Sequence, residues 1–271
     1  MVAKLETLQH QVGNVVLNYR IDGSGPEPLI CVHGVGSYLE AWSQAAQTLA
    51  RRFTVLTYDL RGHGRSSRLK GRYEIDDFVQ DLLGLADHVG FGAFHLAGFS
   101  LGGLICQRVA LTHPARVRRL VLLSTVAGRT SDERTQVLKR LAALQERGGE
   151  AHHDASLSRW LTEAFQAAHP QTIAQLRARD AENDPDCYAS AYRVLAETDF
   201  GRMLDQIRSP TLIVTGADDR GSTPRMAHYM NEQIPGSDLR ILPGLRHSIL
   251  IEAPELVASI MGDFLSEDGH G

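Results

Sequence analysis

The chain is poor in cysteine, in aromatic residues and in apolar runs long enough to span a bilayer. Its three cysteines, Cys31, Cys106 and Cys187, are odd in number and far apart. That spacing argues against a disulfide framework or a zinc site, and reads as reduced, mostly buried thiols in a cytoplasmic protein. Residues 1–14 mix charged and polar side chains with single apolar ones, so neither the apolar core of a signal peptide nor a membrane segment is expected. An excess of positive charge is also lacking: 28 Lys and Arg against 32 Asp and Glu leave a net charge of -4. The pI is near 6.3 and the cations are scattered, so nucleic acid is not an expected partner. There is no internal repeat and no low-complexity tract, and only the polar tail, 266–271, is expected to fray.

What is present is enough apolar material for a large core: 271 residues, of which 43% are hydrophobic. Residues 12–19 read as a strand, followed by the turn Gly23-Ser24-Gly25-Pro26 and a short apolar strand at 29–32, an arrangement that predicts an edge hairpin. Next come a helix over 41–51, a strand over 53–58, a helix over 75–89, a strand over 94–99, a helix over 101–111 and a strand over 117–123. This alternation predicts an α/β fold whose mostly parallel sheet is covered on both faces. From 128 to about 200 the rhythm gives way to amphipathic helices with no apolar strand between them. It resumes with a strand at 211–215, a helix at 224–233, a strand at 238–241 and a helix at 254–265 that has Pro254 in its first turn. The expected organisation is one core domain, 1–127 with 201–271, interrupted by a helical cap insertion over 128–200.

Gly98-Phe99-Ser100-Leu101-Gly102 lies where the strand at 94–99 passes into a helix. A turn that sharp forces its middle residue into a strained conformation and tolerates only small neighbours. The pattern alone also fits a glycine-rich turn; the strand before and the helix after favour a nucleophilic serine. Reactive groups in open parallel sheets gather at the carboxyl ends of the strands. The four segments found there are His33-Gly34-Val35-Gly36, Ser100, Gly216-Ala217-Asp218-Asp219 and Pro243-Gly244-Leu245-Arg246-His247. A nucleophile, an acid and a base therefore follow one another in the order Ser, Asp, His.

With the turn Asp59-Leu60-Arg61-Gly62-His63-Gly64-Arg65-Ser66, these segments resemble the α/β-hydrolase superfamily along essentially the whole chain. The resemblance implies an α/β-hydrolase fold in which Ser100 attacks an acyl carbonyl. His247 carries the proton and an aspartate orients the imidazole. Asp219, fourth in a Gly-x-x-Asp turn, is the expected acid, leaving Asp218 to brace the loop by accepting backbone hydrogen bonds. The implied oxyanion donors are the backbone N–H groups of Val35 and Leu101. His33 is expected to brace the oxyanion loop and His63 its own turn. Arg246 stands where relatives generally carry a small residue, and would reach solvent or face an anionic substrate.

Within the family it resembles, the nucleophile separates this chain from haloalkane dehalogenases and epoxide hydrolases, which use aspartate at the position of Ser100. The segment Ser158-Arg159-Trp160-Leu161-Thr162, with Tyr188-Ala189-Ser190 and Ala196-Glu197-Thr198-Asp199, is similar to 3-oxoadipate enol-lactonases and related carboxylesterases. That likeness implies a small-molecule ester or lactone as substrate, an acyl-enzyme intermediate and no metal or organic cofactor. A carboxylate on such a substrate would call for a cation, with Arg129, Arg159 and Arg220 as pocket or surface residues, and Trp160 and Tyr188 as pocket or core residues. The other readings are a carbon–carbon bond hydrolase of aromatic degradation, a cofactor-free perhydrolase or acyltransferase, and a ligand receptor that keeps the same side chains.

Overall fold

The computed structural model describes residues 6–147 and 156–266; the tail from 267 onward lies outside the described residues. Eight strands form one sheet: β1 (Leu8–Val12), β2 (Val15–Asp22), β3 (Glu27–Val32), β4 (Phe53–Tyr58), β5 (Phe94–Phe99), β6 (Val117–Leu123), β7 (Thr211–Gly216) and β8 (Asp238–Leu242). Their order across the sheet is β1-β2-β4-β3-β5-β6-β7-β8. Pairings β1–β2 and β2–β4 are antiparallel and the rest are parallel.

The central strands are continuous apolar runs because helices cover both faces, and alternate residues sort to opposite sides. Leu29, Cys31, Val55, Ala97, Val121, Leu212 and Val214 face a layer that includes α1 (Ser43–Leu49), α10 (Ile249–Glu252) and α11 (Pro254–Ser266). Their neighbours Ile30, Val32, Leu56, Leu96, Leu122 and Ile213 face α2 (Ile75–His88), α3 (Leu101–Thr112) and α9 (Pro224–Gln233). In α2, Phe78, Leu82 and Leu85 recur at helical spacing and are fully or almost fully buried. Each contributes about 2 kcal/mol of hydrophobic stabilisation.

The N-terminal hairpin differs from the sequence expectation. A single strand over 12–19 is replaced by two strands that turn at Gly13-Asn14, where Gly13 has φ +58° and Val12 pairs with Val15. β2 and β3 are not neighbours, because β4 lies between them. The glycines of the 23–26 turn serve close passage over the end of α1: a Cβ at Gly25 would stand 2.1 Å from Arg52 O, and one at Gly23 would stand 2.4 Å from Ala50 O. The expected helix over 41–51 is a 3₁₀ turn at Leu39–Trp42 running into α1.

Between β6 and β7 the described residues carry helices and no strand: α4 (Ser131–Arg147), a short α5 at 156–160, α6 (Glu163–Ala168), α7 (Pro170–Asp180) and α8 (Pro185–Glu197). The two ends of this segment meet. Asp199 Oδ1 accepts from the N–H groups of Gly128 (2.8 Å) and Gly201 (2.9 Å), while Oδ2 accepts from that of Arg129 (2.9 Å). A Cβ at Gly201 would lie 2.8 Å from Gly128 Cα, so the contact needs a bare backbone. Among the described residues no helix is long and apolar enough to cross a membrane.

Candidate active site

Ser100 sits between β5 and α3 with φ 55° and ψ -116°, one of two non-glycine residues at positive φ among the described residues. Such a conformation costs about 1–3 kcal/mol and persists only where the surroundings enforce it. Here they do so on several sides. Ser100 N–H donates to Leu123 O (2.9 Å), Ser100 O accepts from Thr125 Oγ1 (2.7 Å), and that same oxygen accepts from Gly103 N–H (2.9 Å). A Cβ at Gly98 would come within 2.3 Å of Gly102 O, and one at Gly102 within 2.2 Å of Val32 O, which explains both glycines of the motif.

His247 lies in the loop after β8, and the buried carboxylate of Asp219 lies in the loop after β7. Asp219 Oδ2 is 2.8 Å from His247 Nδ1, and Oδ1 accepts from Gly221 N–H (2.8 Å) and Ser222 N–H (2.9 Å). An ionised carboxylate only accepts, so this pair puts the imidazole proton on Nδ1 and leaves Nε2 with a free lone pair. The ring of Phe99, next in sequence to Ser100, packs on the imidazole with centroids 5.1 Å apart. Ser100 and His247 line one cavity of about 330 Å³.

Asp218 is exposed on the same loop. The backbone-bracing role expected of it belongs to Asp219 Oδ1, because only the buried carboxylate reaches the amides of 221 and 222. Val35 lines the cavity on the loop after β3, and a Cβ at the preceding Gly34 would touch Ser100 Cβ at 3.0 Å. Leu101 heads α3, where a first-turn amide has no acceptor within the helix. Among the described residues no group of three or more His, Cys, Asp or Glu side chains is placed to hold a metal ion.

Two buried histidines fix the loop that carries Val35. His33 Nε2 accepts from Leu60 N–H (3.0 Å) and its Nδ1 donates to Gly34 O (2.7 Å). His63 Nε2 accepts from Gly36 N–H (3.0 Å) and its Nδ1 donates to Arg61 O (2.9 Å). His63 thus braces the loop that carries Val35 as well as its own turn, a reach that sequence spacing does not show. Each ring uses one nitrogen as donor and the other as acceptor, so both are neutral. Burial lowers both pKa values, that of His33 further through the neighbouring His63, and burial followed by Arg119 lowers that of His95 to about 4.

All three groups shift in one direction, with a sign that can be tested. Below the unfolded value of about 6.5 the unfolded chain binds more protons than the folded one, so stability is lost as pH falls. Each group contributes a slope of up to about 1.4 kcal/mol per pH unit. We expect a lower urea midpoint at pH 5.5 than at pH 7.5, and equal midpoints would contradict the assignment.

Of the expected cations, Arg129 is committed to structure: its guanidinium donates to Thr198 O (2.8 Å) and Leu195 O (2.7 Å) at the end of α8. Arg220 is exposed at the cavity rim. Arg159 is partly buried in the cavity wall, donating to Ser156 Oγ (2.5 Å), with its pKa lowered by burial and then by Arg140. Trp160 lines the cavity, whereas Tyr188 is packed in an apolar cluster with Tyr192. Arg246 is not among the residues lining the cavity and is only partly exposed: its guanidinium reaches the carbonyls of Ser158 (2.5 Å) and Leu161 (3.0 Å) and lies 3.7 Å from the exposed Glu163 carboxylate. Sequence reading had no signal for that contact, since it joins residues 85 and 88 positions apart.

Known proteins resemble this chain along most of its length. A hydrolase from Acinetobacter baylyi acting on (E)-2-((N-methylformamido)methylene)succinate is 32% identical over 256 residues, covering 93% of this chain and 95% of that protein. The 3-oxoadipate enol-lactonase 2 of the same organism is 30% identical over 243 residues, covering 89% and 90%. The crystal structure of the enol-lactonase from Burkholderia xenovorans superposes with a TM-score of 0.90 at 30% identity, over 96% of this chain and all of that one. Residues 27–254 match the family model described as alpha/beta hydrolase fold. With a mostly parallel sheet, a serine at a strained strand-to-helix turn and a match across most of its length, this chain belongs to the alpha/beta hydrolase family.

Proposed function

We propose that the protein is a cytoplasmic serine hydrolase that opens a small ester or lactone through an acyl-enzyme, with Ser100 as nucleophile, His247 as base and Asp219 as its orienting acid. In this reading 128–200 form a cap over a core made of 1–127 and 201–271. The observation that carries it is the 2.8 Å contact between His247 Nδ1 and Asp219 Oδ2, which leaves the Nε2 lone pair of His247 available, with His247 and Ser100 lining the same cavity.

The Ser100 hydroxyl proton passes to His247 Nε2 as Oγ bonds to the acyl carbon, and the carbonyl π pair moves onto oxygen. Val35 and Leu101 N–H groups hold that oxyanion, each worth about 3 kcal/mol in the transition state. Collapse breaks the acyl–oxygen bond, and the leaving alkoxide or enolate takes the proton from His247. Water then gives a proton to His247 and its oxygen to the acyl carbon, and Ser100 Oγ departs and recovers the proton.

Arg159 and Arg140 both line the cavity and lie close enough for their charges to interact. Among the described residues Arg140 Nε donates to Tyr192 Oη (3.3 Å) and Arg159 Nη2 to Ser156 Oγ (2.5 Å), both uncharged hydroxyls. Two like charges in a partly buried wall are stabilised by an anion, which supports a substrate with a carboxylate on its acyl part. The relatives named for 3-oxoadipate and succinate derivatives are in keeping with that chemistry.

The test is a panel of neutral aryl esters, carboxylated esters and enol-lactones, and vinylogous diketones, run on the native chain and on Arg159→Met. Esters or lactones are expected to be cleaved and diketones left intact; preferential diketone cleavage would move the assignment to carbon–carbon hydrolysis. Loss of a charged hydrogen bond of about 1.5–3 kcal/mol should raise KM for the carboxylated substrates roughly 10- to 100-fold. KM for the neutral esters should move by less than about threefold, since they offer Arg159 no anion.

A further inference from the structure

His247 lies between two residues that are both fastened to the same helical turn of the 128–200 segment. On one side Arg246 Nη1 donates to Ser158 O (2.5 Å) and Leu161 O (3.0 Å). On the other, Ser248 N–H donates to Trp160 O (2.9 Å). These carbonyls lie at the end of α5, where the helix has no amides of its own to offer them, so residues 246 and 248 act together in its C-terminal cap, with Gln166 Nε2 also donating to Leu161 O (3.0 Å). Glu252, one turn further along, accepts from Thr162 N–H (3.1 Å) and Thr162 Oγ1 (2.6 Å), extending the attachment. The Arg246 side chain is only 13% exposed, and Nη2 lies 3.7 Å from the exposed Glu163 carboxylate. The burial and bonding of its guanidinium are therefore directed at the turn.

We propose that Arg246 is a positioning residue for the catalytic base. By holding the 246–248 loop on the carbonyls of 158–161 it sets where the His247 ring stands in the cavity that Ser100 also lines, so that the cap segment is part of the mount of the base as well as the roof of the cavity. The inference rests on the reading of His247 as base. Asp219 fixes one nitrogen of the ring but not the height of the loop that carries it, and a shift of about 1 Å in a reacting group can cost about 100-fold in rate. Leu157, Arg159, Trp160 and Leu161 of the same turn line the cavity, so contacts made there by a bound acyl group are transmitted to the base through two hydrogen-bonded neighbours.

The test compares Arg246→Met, which keeps the apolar stem and removes the donors, with Arg246→Lys, which restores one cationic donor. Two rates are measured: kcat on an ester the native chain cleaves, and the second-order phosphylation of Ser100 by diethyl p-nitrophenyl phosphate. The phosphate ester forms its bond to Oγ with loss of nitrophenolate and needs the same deprotonation. Arg246→Met should lower kcat by roughly 10- to 100-fold with KM within about threefold, lower the phosphylation rate by a similar factor, and be partly rescued in Arg246→Lys.

A purely structural role would lower the melting temperature and leave both rates of the folded fraction unchanged, and that result would overturn the proposal. If the methionine variant does not fold, Arg246→Gln, too short to bridge both carbonyls, is judged by the same rates. Ser100→Ala and His247→Ala separate the two levels. If either keeps native turnover, the reading of the site fails; if both are inactive while Arg246→Met retains native rates, only the positioning role fails.

Discussion

Ser100→Ala is expected to lower kcat/KM by roughly 10⁴-fold or more while leaving the fold intact. The reaction runs through a bond to Oγ, and the two hydroxyls that follow β6, next to Ser100, are not placed to stand in. Thr125 Oγ1 donates to the Ser100 carbonyl (2.7 Å), and Ser124 is fully buried at the end of β6. The residual rate should reflect the oxyanion amides and substrate binding alone. Ser100→Gly sharpens the test, because φ 55° with ψ -116° suits glycine far better than a residue with a Cβ. That variant should be equally inactive yet about 1 kcal/mol more stable, read as a higher urea midpoint. A Ser100→Ala protein that retained a tenth of native turnover would remove the nucleophile.

Asp219→Asn should be nearly as damaging, roughly 10⁴-fold in kcat, while Asp218→Asn stays within about threefold of native. The reason lies in the second oxygen. Oδ1 of Asp219 accepts from two backbone amides, Gly221 and Ser222. An asparagine must keep its carbonyl oxygen there, because turning its NH₂ toward two N–H donors would leave buried donors facing each other. Its NH₂ then faces His247 Nδ1 and donates, which forces the ring proton onto Nε2. An imidazole protonated there cannot accept from Ser100. Asp218 is solvent-exposed, and loss of its charge changes neither tautomer nor loop. Equal losses at the two positions, measured as kcat at saturating substrate, would contradict this assignment.

The central strands were legible because burial on both faces leaves no polar alternation to misread: β4, β5 and β6 fall where their apolar runs predict. That the candidate residues would lie near one another was legible for a related reason, since parallel strands deliver the loops after β3, β5, β7 and β8 to one edge. The N-terminal hairpin was not. Its outer strand is largely exposed, carries little core pattern, and turns on two residues within what reads as one strand. Hidden too were the reach of His63 to Gly36, the hold of Asp199 on residues 128 and 201, and the contact of Arg246 with residues 158 and 161. Each joins a side chain to a backbone group on another loop, and backbone partners leave no trace in residue identity. Arg246 did announce itself as a departure from the family pattern, but the direction of its side chain is a tertiary fact.

Because Gly128 and Gly201 abut beneath a single carboxylate, everything between them is an excursion that leaves and rejoins the sheet layer at one doorway. Excursions of other lengths could be grafted there without rethreading a strand, which makes this region the natural place for a scaffold to acquire new substrates. A graft would have one inheritance to honour. It must present exposed carbonyls to residues 246 and 248, or the transplanted roof would leave the imidazole beneath it adrift.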